Sequence, residues 1–539
     1  MLADMAKRRL TSRLWSKDYR LWKPQPTEID NRLGWLTVSE QMQERVGSLK
    51  TFAESVRDDG FRHVVLLGMG GSSLGPEVLR RTFSSARGFP KLIVLDSTVP
   101  GVVREVTRAI RPARTLFILA SKSGGTIEVM SLFAHFWKTV TQAKGNTGGH
   151  QFLAITDPGT SLATLAHERG FRSTFVNQPD IGGRYSVMSY FGLVPAALMG
   201  LDLEVLIQRA VEMERACGPD VPPQQNPGAC LGGIMGALAR KGRDKVTLIA
   251  SPKINTFGLW AEQLLAESTG KEGQGLIPVA QEPMAPPTAY DHDRLFIYLR
   301  LDDDANERAD RHAIALERAG HPVVRLTLRD RYDLGGEFFR WEFATAVAGH
   351  YLGIHPFDQP NVQESKENTA RILEEVRTTG RLPFGETDRT IHDVLDKAES
   401  GSYVALLAYV RPSSQMDTAL RAFRKSVMMR YRFATTAGYG PRYLHSTGQL
   451  HKGGPPKGVF IQFIGDMVPD VTVPNASYTF GTLAQAQAVG DLQSLEAHDR
   501  PVIRIQLTRR VASDLKALMM HNSGKERAKQ RSGINRRKE

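Results

Sequence analysis

The stretch HVVLLGMGGSSLGPEVLRRTF, residues 63–83, joins an apolar run to a glycine-rich turn and then to a helical pattern. The run VVLL does not alternate with polar residues, which is typical of a strand covered on both faces. A glycine-rich turn that leads into a helix is the usual connection between neighbouring parallel strands. The stretch therefore predicts a strand–turn–helix unit of a doubly wound, parallel α/β sheet.

The same plan recurs along the chain, beginning with TLFILASKSGGTIEVMSLFAHFW at 115–137. Further strands are predicted at 91–97, 150–157, 172–177, 245–253, 293–301, 321–328, 402–410, 458–465 and 501–507. We expect an N-terminal arm (1–44), a first α/β domain (45–200), a linker with a Pro-rich stretch (201–242), a second α/β domain (243–375), a C-terminal α/β segment (376–510) and a basic tail (511–539) that is disordered at its end. A chain of 539 residues is too long for one hydrophobic core, which agrees with several domains.

The composition is that of a soluble globular protein, with 41% hydrophobic and 24% charged residues. No apolar run reaches the length of a membrane span, and the first residues lack the apolar region of a signal peptide. The two cysteines, Cys217 and Cys230, have no metal-ligand spacing. We therefore expect a cytoplasmic protein without a membrane partner, a disulfide framework or a metal site.

The net charge is +13, and Lys or Arg occupies seven of the fourteen positions from 525 to 538. Nucleic-acid binding is one interpretation of this charge. A solvated tail is the other, because the tail has little apolar content and the second basic cluster, 421–433, has the pattern of an amphipathic helix. No recognition motif for nucleic acid accompanies either cluster. A basic surface also attracts small anionic substrates.

Two glycine-rich turns follow predicted strands, GMGGSSLG at 68–75 and SKSGGTIE at 121–128. Neither contains the GK[ST] of a P-loop, and the first lacks the third glycine of a dinucleotide fingerprint. The second turn brings the hydroxyls of Ser121, Ser123 and Thr126 to one helix start, a set that suits a phosphate monoester. A simple helix cap is the alternative, because Ser and Thr favour helix starts.

Three further segments place polar side chains beside turns. GGRYS (182–186) offers Arg184, a candidate for stabilising developing negative charge. WAEQLLAESTGKEGQG (260–275) sets Gln263 and Glu267 four residues apart, on one helix face. FDQPNVQESKENT (357–369) holds Gln359 and Lys366 beside a helix that Pro360 begins. For each of these residues taken alone, an ordinary surface or helix-face role is the alternative.

In this order, the motifs GMGGSSLG, SKSGGTIE, GGRYS, Q-x-x-x-ESTGK and FDQPNVQESK resemble the signature elements of the phosphoglucose isomerase family, which is built of sugar-isomerase (SIS) domains. The matches span about residues 68–366. The segments WSKDYRLW and NRLGWL make the chain most similar to the isomerase half of transaldolase–phosphoglucose isomerase fusions. The chain has no room for an added transaldolase barrel of about 250 residues.

The resemblance implies two SIS domains of flavodoxin-like type, and the reversible conversion of glucose 6-phosphate to fructose 6-phosphate through a cis-enediol. The resemblance implies neither a metal nor an organic cofactor. It implies a possible homodimer. By motif match, Glu267 moves the proton, Arg184 stabilises the enediolate and Lys366 assists ring opening. The residues that would bind phosphate and sugar are Gly71, Ser72, Ser121, Lys122, Ser123, Thr126, Gln263 and Gln359.

The ring-opening histidine has two candidates. LHSTGQLHKGG (444–454) matches the family segment that carries it and gives His445, ahead of His451. That segment follows Lys366 here, whereas in the family it precedes the lysine. His292, in YDHDR, keeps the family order but lies in no recognisable motif. We weigh His445 over His292.

Two other functions share these motifs. One is isomerisation of a different phosphosugar, such as mannose 6-phosphate, because contacts near C2 decide the preferred epimer. The other is a non-catalytic SIS regulator that binds a sugar phosphate. Such a regulator has no need of Glu267, Arg184 and Lys366, and all three are present, which favours the enzyme.

Overall fold

The structure is a computed structural model that describes residues 1–383, 390–508 and 513–515. Most of the predicted basic tail, and with it the disorder expected at its end, lies outside the described residues. The N-terminal arm forms the helices α1 Leu2–Lys7, α2 Leu10–Trp15 and α3 Val38–Gln43, and α4 Val46–Asp58 follows at the start of the predicted first domain. The tryptophans of the arm anchor it to later parts of the chain, since the indole N–H of Trp22 donates to the carbonyl of Ala346 and that of Trp15 to the carbonyl of Cys217.

A first parallel sheet has five strands in the order β2-β1-β3-β4-β5. Its elements are β1 His63–Gly68, α5 Gly71–Phe83, β2 Lys91–Leu95, α6 Pro100–Ala109, β3 Thr115–Ala120, α7 Ile127–Lys144, β4 Phe152–Thr156, α8 Ser161–Glu168, β5 Ser173–Val176 and α9 Tyr190–Leu198. Strand β3 is buried at every residue, which explains its unbroken apolar sequence.

A second parallel sheet has the order β7-β6-β8-β9. Its elements are α10 Leu203–Ala216, α11 Pro227–Ala239, β6 Lys245–Ala250, α12 Phe257–Thr269, β7 Ile277–Val279, β8 Arg294–Leu301, α13 Glu307–Arg318, β9 Val323–Leu328 and α14 Leu334–Leu352. The region predicted as a linker thus contains α10 and α11, which pack against α14.

A third parallel sheet has the order β11-β10-β12-β13. Its elements are α15 Pro360–Thr379, α16 Ile391–Leu395, β10 Tyr403–Tyr409, α17 Ser414–Tyr431, β11 Ala434–Tyr439, α18 Gly448–Gly453, β12 Gly458–Ile464, α19 Phe480–Ala497 and β13 Val502–Gln506. All three sheets begin with the order 2-1-3-4, the flavodoxin-like arrangement, and all their pairings are parallel. The predicted α/β class is confirmed.

Buried apolar side chains form one large cluster that joins the arm to the first two sheets, and separate clusters that line the faces of the third. Cys217 and Cys230 are free thiols. Among the residues that the structure describes, no helix is long and apolar enough to cross a membrane.

Candidate active site

The first glycine turn brings the backbone of β1–α5 against two other segments. Gly70 has φ +55°, and a Cβ atom there would lie 2.4 Å from the carbonyl oxygen of His445. A Cβ on Gly71 would lie 2.0 Å from the carbonyl oxygen of Gly183, beside Arg184. Glycine is needed at both positions because a side chain would push the three segments apart. Ser72, next in the turn, is buried.

The second glycine turn has the hydroxyl arrangement expected of a phosphate loop. Ser121 Oγ lies 2.9 Å from Thr126 Oγ1 and accepts a hydrogen bond from the N–H of Gly124. Thr126 is the N-cap of α7, yet its side chain makes no capping hydrogen bond. Ser123 is exposed. Lys122 is turned towards the ion pair that it forms with Asp157.

The first turn of α7 reaches the histidine segment. His445 Nε2 lies 2.7 Å from Glu128 Oε1, and both side chains are largely shielded from solvent. Burial by itself raises the pKa of Glu128, but the charge and the hydrogen bond of His445 outweigh it and the pKa is lowered. Gln487, on α19, donates to the same carboxylate oxygen at 2.6 Å. The imidazole is therefore held by an ionised carboxylate.

Helix α12 supplies the carboxylate predicted as the base. Gln263 Nε2 donates to Glu267 Oε2 and to the backbone carbonyl of His445, each at 2.9 Å. The four-residue spacing of Gln263 and Glu267 places both on one helix face, as the sequence predicts. One amide thus connects the histidine segment to the carboxylate.

Arg184 lies on the other side of Glu267, in the 3₁₀ turn Gly183–Tyr185. Its Nη1 is 3.3 Å from Glu267 Oε1, and its side chain is almost wholly buried. It also donates to Ser268 Oγ at 2.7 Å and to Gln359 Oε1 at 2.8 Å. A fixed positive charge beside Glu267 stabilises any anion that forms against it.

Lys271, three residues after Ser268, holds the segment that precedes Gln359. Its Nζ donates to the carbonyls of His355 and Asp358 at 2.6 and 2.5 Å, and to the Asp358 carboxylate. Burial and the charge of Arg184 lower the pKa of this lysine and Asp358 raises it, which leaves a net pKa of about 7. The three acceptors match the three N–H groups of the ammonium form, so only the protonated amine makes all three contacts.

The remaining predicted residues divide between near and far. Lys366, exposed on α15, acts electrostatically on Glu128, the partner of His445. His292 is exposed in the turn that enters β8, where its neighbours Asp291 and Asp293 contact Ser400 and Lys245. His451 is buried, its ring 5.1 Å from that of Phe460, and burial lowers its pKa well below 6.5.

No site role was predicted from the sequence for Glu128, Ser268, Lys271 or Gln487. Glu128 and Lys271 belong to the motifs SKSGGTIE and ESTGK, so the sequence could have marked them as candidates. Their contacts could not be predicted, because the partners are distant in the chain. Gln487 lies in an ordinary helix sequence and carries no such signal. Within the described residues, no group of three or more His, Cys, Asp or Glu side chains could hold a metal ion.

The network runs from the turn 121–126 to Glu128, His445, Gln263, Glu267 and Arg184. The sequence profile of the phosphoglucose isomerase family matches residues 36–274. A glucose-6-phosphate isomerase of Rubrobacter xylanophilus is 30% identical over 397 residues, which are 64% of this chain and 89% of the relative. One of Parabacteroides distasonis is 27% identical over 63% of this chain and 87% of its own length.

Two solved structures agree in fold. A hypothetical protein of Thermus thermophilus aligns with a TM-score of 0.61 and 24% identity, over 69% of this chain and 95% of its own. A glucose-6-phosphate isomerase of Chlamydia trachomatis aligns with a TM-score of 0.55 and 19% identity, over 68% and 78%. With the identity and coverage of the Rubrobacter relative, these findings establish that the chain belongs to the phosphoglucose isomerase family.

Proposed function

We propose that this protein is a glucose-6-phosphate isomerase that interconverts glucose 6-phosphate and fructose 6-phosphate. The observation that carries the proposal is the contact chain from His445 through Gln263 to Glu267 and Arg184. In this contact chain a carboxylate, a guanidinium and the backbone of the histidine turn are in contact, and the imidazole of His445 contacts Glu128 in the first turn of α7. Aldose–ketose isomerisation needs those groups, because a ring must open and one proton must move between C2 and C1.

Glu267 is the proposed base. It removes the proton from C2 of the open-chain aldose and returns it to C1, which yields the ketose through a cis-enediol. Arg184, at 3.3 Å, supplies the positive charge that stabilises the enediolate oxygens as they become negative. Gln263 and Gln359, which contact Glu267 and Arg184 respectively, are placed to orient the sugar hydroxyls.

His445 is the proposed ring-opening residue. Support comes from its contact with Glu128 and from its backbone link to Gln263, whereas the exposed His292 has its neighbours in a different set of contacts. The hydrogen bond to Glu128 fixes the imidazole, which is proposed to pass a proton to the ring oxygen of the sugar. Lys366 is proposed to assist from α15.

The phosphate is proposed to lie against Ser121, Ser123, Thr126 and the N–H groups that begin α7, with Gly71 and Ser72 bordering the sugar. Thr126 supports this assignment because its hydroxyl is not used to cap its own helix. Lys122 is proposed to contribute charge from its position beside Asp157. Helix N-termini favour anions through their free N–H groups and dipole.

The decisive test is the production of fructose 6-phosphate by the wild type and by Glu267→Gln. Gln keeps the shape and removes the base, so kcat should fall about 10²- to 10⁴-fold. Glu272→Gln, five positions later and exposed, is the matched control and should retain activity. Full activity in Glu267→Gln would exclude Glu267 as the base; sugar-phosphate binding without turnover by the wild type would favour the regulator. Mannose 6-phosphate, run in parallel, tests epimer preference.

Several broader assignments follow from family membership as proposals. These are a cytoplasmic location, a homodimer, and kinship with the isomerase half of transaldolase fusions in particular. We also propose the domain boundaries that were predicted from the sequence. They divide the chain so that the proposed phosphate loop belongs to the first domain, Glu267 to the second and His445 to the C-terminal segment.

A further inference from the structure

A cleft with a volume of about 730 Å³ lies between the second sheet and the third α/β unit, by which we mean the third sheet and its helices. Its walls are the carboxyl ends of β6 and β8, helices α12 and α13, and helix α17, and we call it the α12–α17 cleft. Glu267, Gln263, Arg184, Ser121 and His445 do not line it. Its volume is in the range of pockets that hold small organic ligands.

The position of the α12–α17 cleft is where this topology places ligands. In the order β7-β6-β8-β9 the chain changes direction between β6 and β8, and ligands of such sheets bind beyond the carboxyl ends of the strands at that point. In the first sheet the same place, between β1 and β3, carries the two glycine turns. Ala305 and Arg308, at the start of the twelve-residue helix α13, line the cleft, so a helix N-terminus also faces it.

The charge of the cleft favours an anion. Six cationic side chains line it: Arg81, Arg308, Arg421, Arg424, Lys425 and Arg442. The lining carboxylates are Glu262, Glu282 and Asp417, and each already has a donor. Glu282 pairs with Arg294, Asp417 accepts from the Tyr439 hydroxyl, and Glu262 accepts from the N–H of Ala280.

The cations are arranged from floor to rim. Arg424 is buried and donates to the carbonyls of Ala280 and Thr435, which fixes its guanidinium in the floor. Arg308, Arg421 and Lys425 are exposed at the rim. Arg81 is also exposed and pairs with Glu77. A ligand that enters the cleft therefore passes solvent-exposed positive charge before it reaches the buried floor.

The cleft also has apolar walls, among them Phe257, Leu259, Met284, Tyr290 and Leu420. A site for an inorganic ion has no use for these surfaces, whereas an organic group packs against them. We propose that the α12–α17 cleft is a second ligand site of this protein, and that it binds an organic phosphate of up to nucleotide size.

The site adjoins the proposed catalytic centre through two elements. Helix α12 directs Glu262 to the cleft and the adjacent Gln263 to Glu267. Arg442, which lines the cleft, begins the 3₁₀ turn that ends at His445, and its Nη1 lies 3.7 Å from Asp96. A bound phosphate thus contacts the same turn that carries the proposed ring-opening histidine.

The test is calorimetric titration of the full chain with pyrophosphate and with ATP. The background is Ser121→Ala/Thr126→Ala, which removes the competing hydroxyls of the proposed substrate phosphate loop. Both probes should bind once per chain, and ATP should bind more tightly because its organic part packs against the apolar walls. Adding Arg308→Ala/Arg421→Ala should weaken both probes by about tenfold or more, since two charge-assisted contacts are lost.

The matched control is Arg311→Ala/Arg430→Ala, which removes the same charge from the same two helices at positions outside the cleft lining. It should change affinity little. If both double variants weakened binding equally, or if neither probe bound, the proposed site would be refuted. If ATP and pyrophosphate bound with equal affinity, the proposal that the ligand is organic would be refuted. Because Arg308 and Arg421 lie outside the proposed catalytic centre, Arg308→Ala/Arg421→Ala in the wild-type chain should retain isomerase activity, which verifies its fold.

Discussion

Glu128 had no predicted role, and the structure shows that it contacts His445. It is separated from His445 by 317 positions, yet its carboxylate is the imidazole's closest partner at 2.7 Å. Because the pKa of Glu128 is lowered from 4.5, the carboxylate is charged at neutral pH. The stabilisation that this charge provides is present above the unfolded pKa and is lost only as the pH falls through the lower, folded one.

Glu128→Gln should reduce kcat for isomerisation by about tenfold or more at neutral pH, since general acid–base catalysis loses the charge that supports its imidazole. The amide keeps the side-chain volume, so KM should change much less than kcat. Steady-state kinetics in both directions measures the two constants. Glu105→Gln, which alters an exposed carboxylate, is the control. An unchanged kcat in Glu128→Gln would show that the pair is structural only.

Glu267, Arg184 and the hydroxyls of 121–126 could be proposed as site residues from the sequence because their motifs, in this order, resemble those of a known family. The sequence could not predict the contacts that join them. Gln263 and Glu267 are neighbours through helix spacing, but Gln263 and His445 are 182 positions apart and meet only through tertiary packing. The sequence already favours His445 over His292 by motif, and the tertiary contact with Gln263 adds support that the sequence does not contain.

At the level of elements, β7 and β11 are the two strands of the described residues that were not predicted from the sequence. β7 has only three residues, one of them a proline, and β11 reads ATTAGY, with little apolar volume. Both are second strands of their sheets, and their pairing with β6 and β10 gives them the strand conformation that their sequences do not signal. β11 matters for the site because it leads to the turn that carries His445.

The contact between the β1–α5 turn and the histidine turn gives an element-scale prediction. Gly70→Ala places a Cβ 2.4 Å from the backbone oxygen of His445, in a conformation with φ +55° that alanine rarely adopts. The histidine turn must move, so kcat should fall, and stability should drop by about 1–3 kcal/mol. Kinetics and urea denaturation measure the two effects.

Gly47→Ala is the matched control, because it lies in α4 with open space around its Cβ position. There alanine should leave activity unchanged and raise stability by up to about 1 kcal/mol. If Gly70→Ala behaved like Gly47→Ala, the close approach of the two turns would be refuted.

Across the whole molecule, buried carboxylates set a pH dependence of stability. Glu342, on α14, is almost fully buried, both its oxygens lack a hydrogen-bond partner among the described residues, and burial raises its pKa well above 4.5. The folded state keeps the proton that the unfolded state releases above its own pKa. The free energy of unfolding should therefore fall as pH rises from about 5 to 8, by up to about 1.4 kcal/mol per pH unit for this one group.

Glu342→Gln removes that titration, so the variant should lose less stability than the wild type between the same two pH values. Urea denaturation at both pH values gives the comparison. Equal slopes in wild type and variant would mean that Glu342 is ionised in the folded protein.

The proposed site contains residues from all three α/β units, and His445 comes from the third. We therefore predict that unfolding of the third unit alone abolishes activity. Lys452 and Asp491 form a fully buried ion pair at 2.7 Å in this unit, and the Tyr443 hydroxyl donates to the same carboxylate. Lys452→Met leaves Asp491 buried with its charge uncompensated, a change that costs about 3–5 kcal/mol. His445 lies between Tyr443 and Lys452 in the chain, so local unfolding here removes the proposed ring-opening residue.

The six tryptophans, at positions 15, 22, 35, 137, 260 and 341, all precede the third unit, so their fluorescence reports on the rest of the molecule. In Lys452→Met, isomerase activity should disappear at a lower urea concentration than the fluorescence transition, because the third unit unfolds first. Lys397→Met, which changes an exposed lysine of the same unit, should leave the wild-type order intact. If activity and fluorescence in Lys452→Met instead shifted together to lower urea, the three units would unfold as one cooperative body, and the buried pair would stabilise all of it.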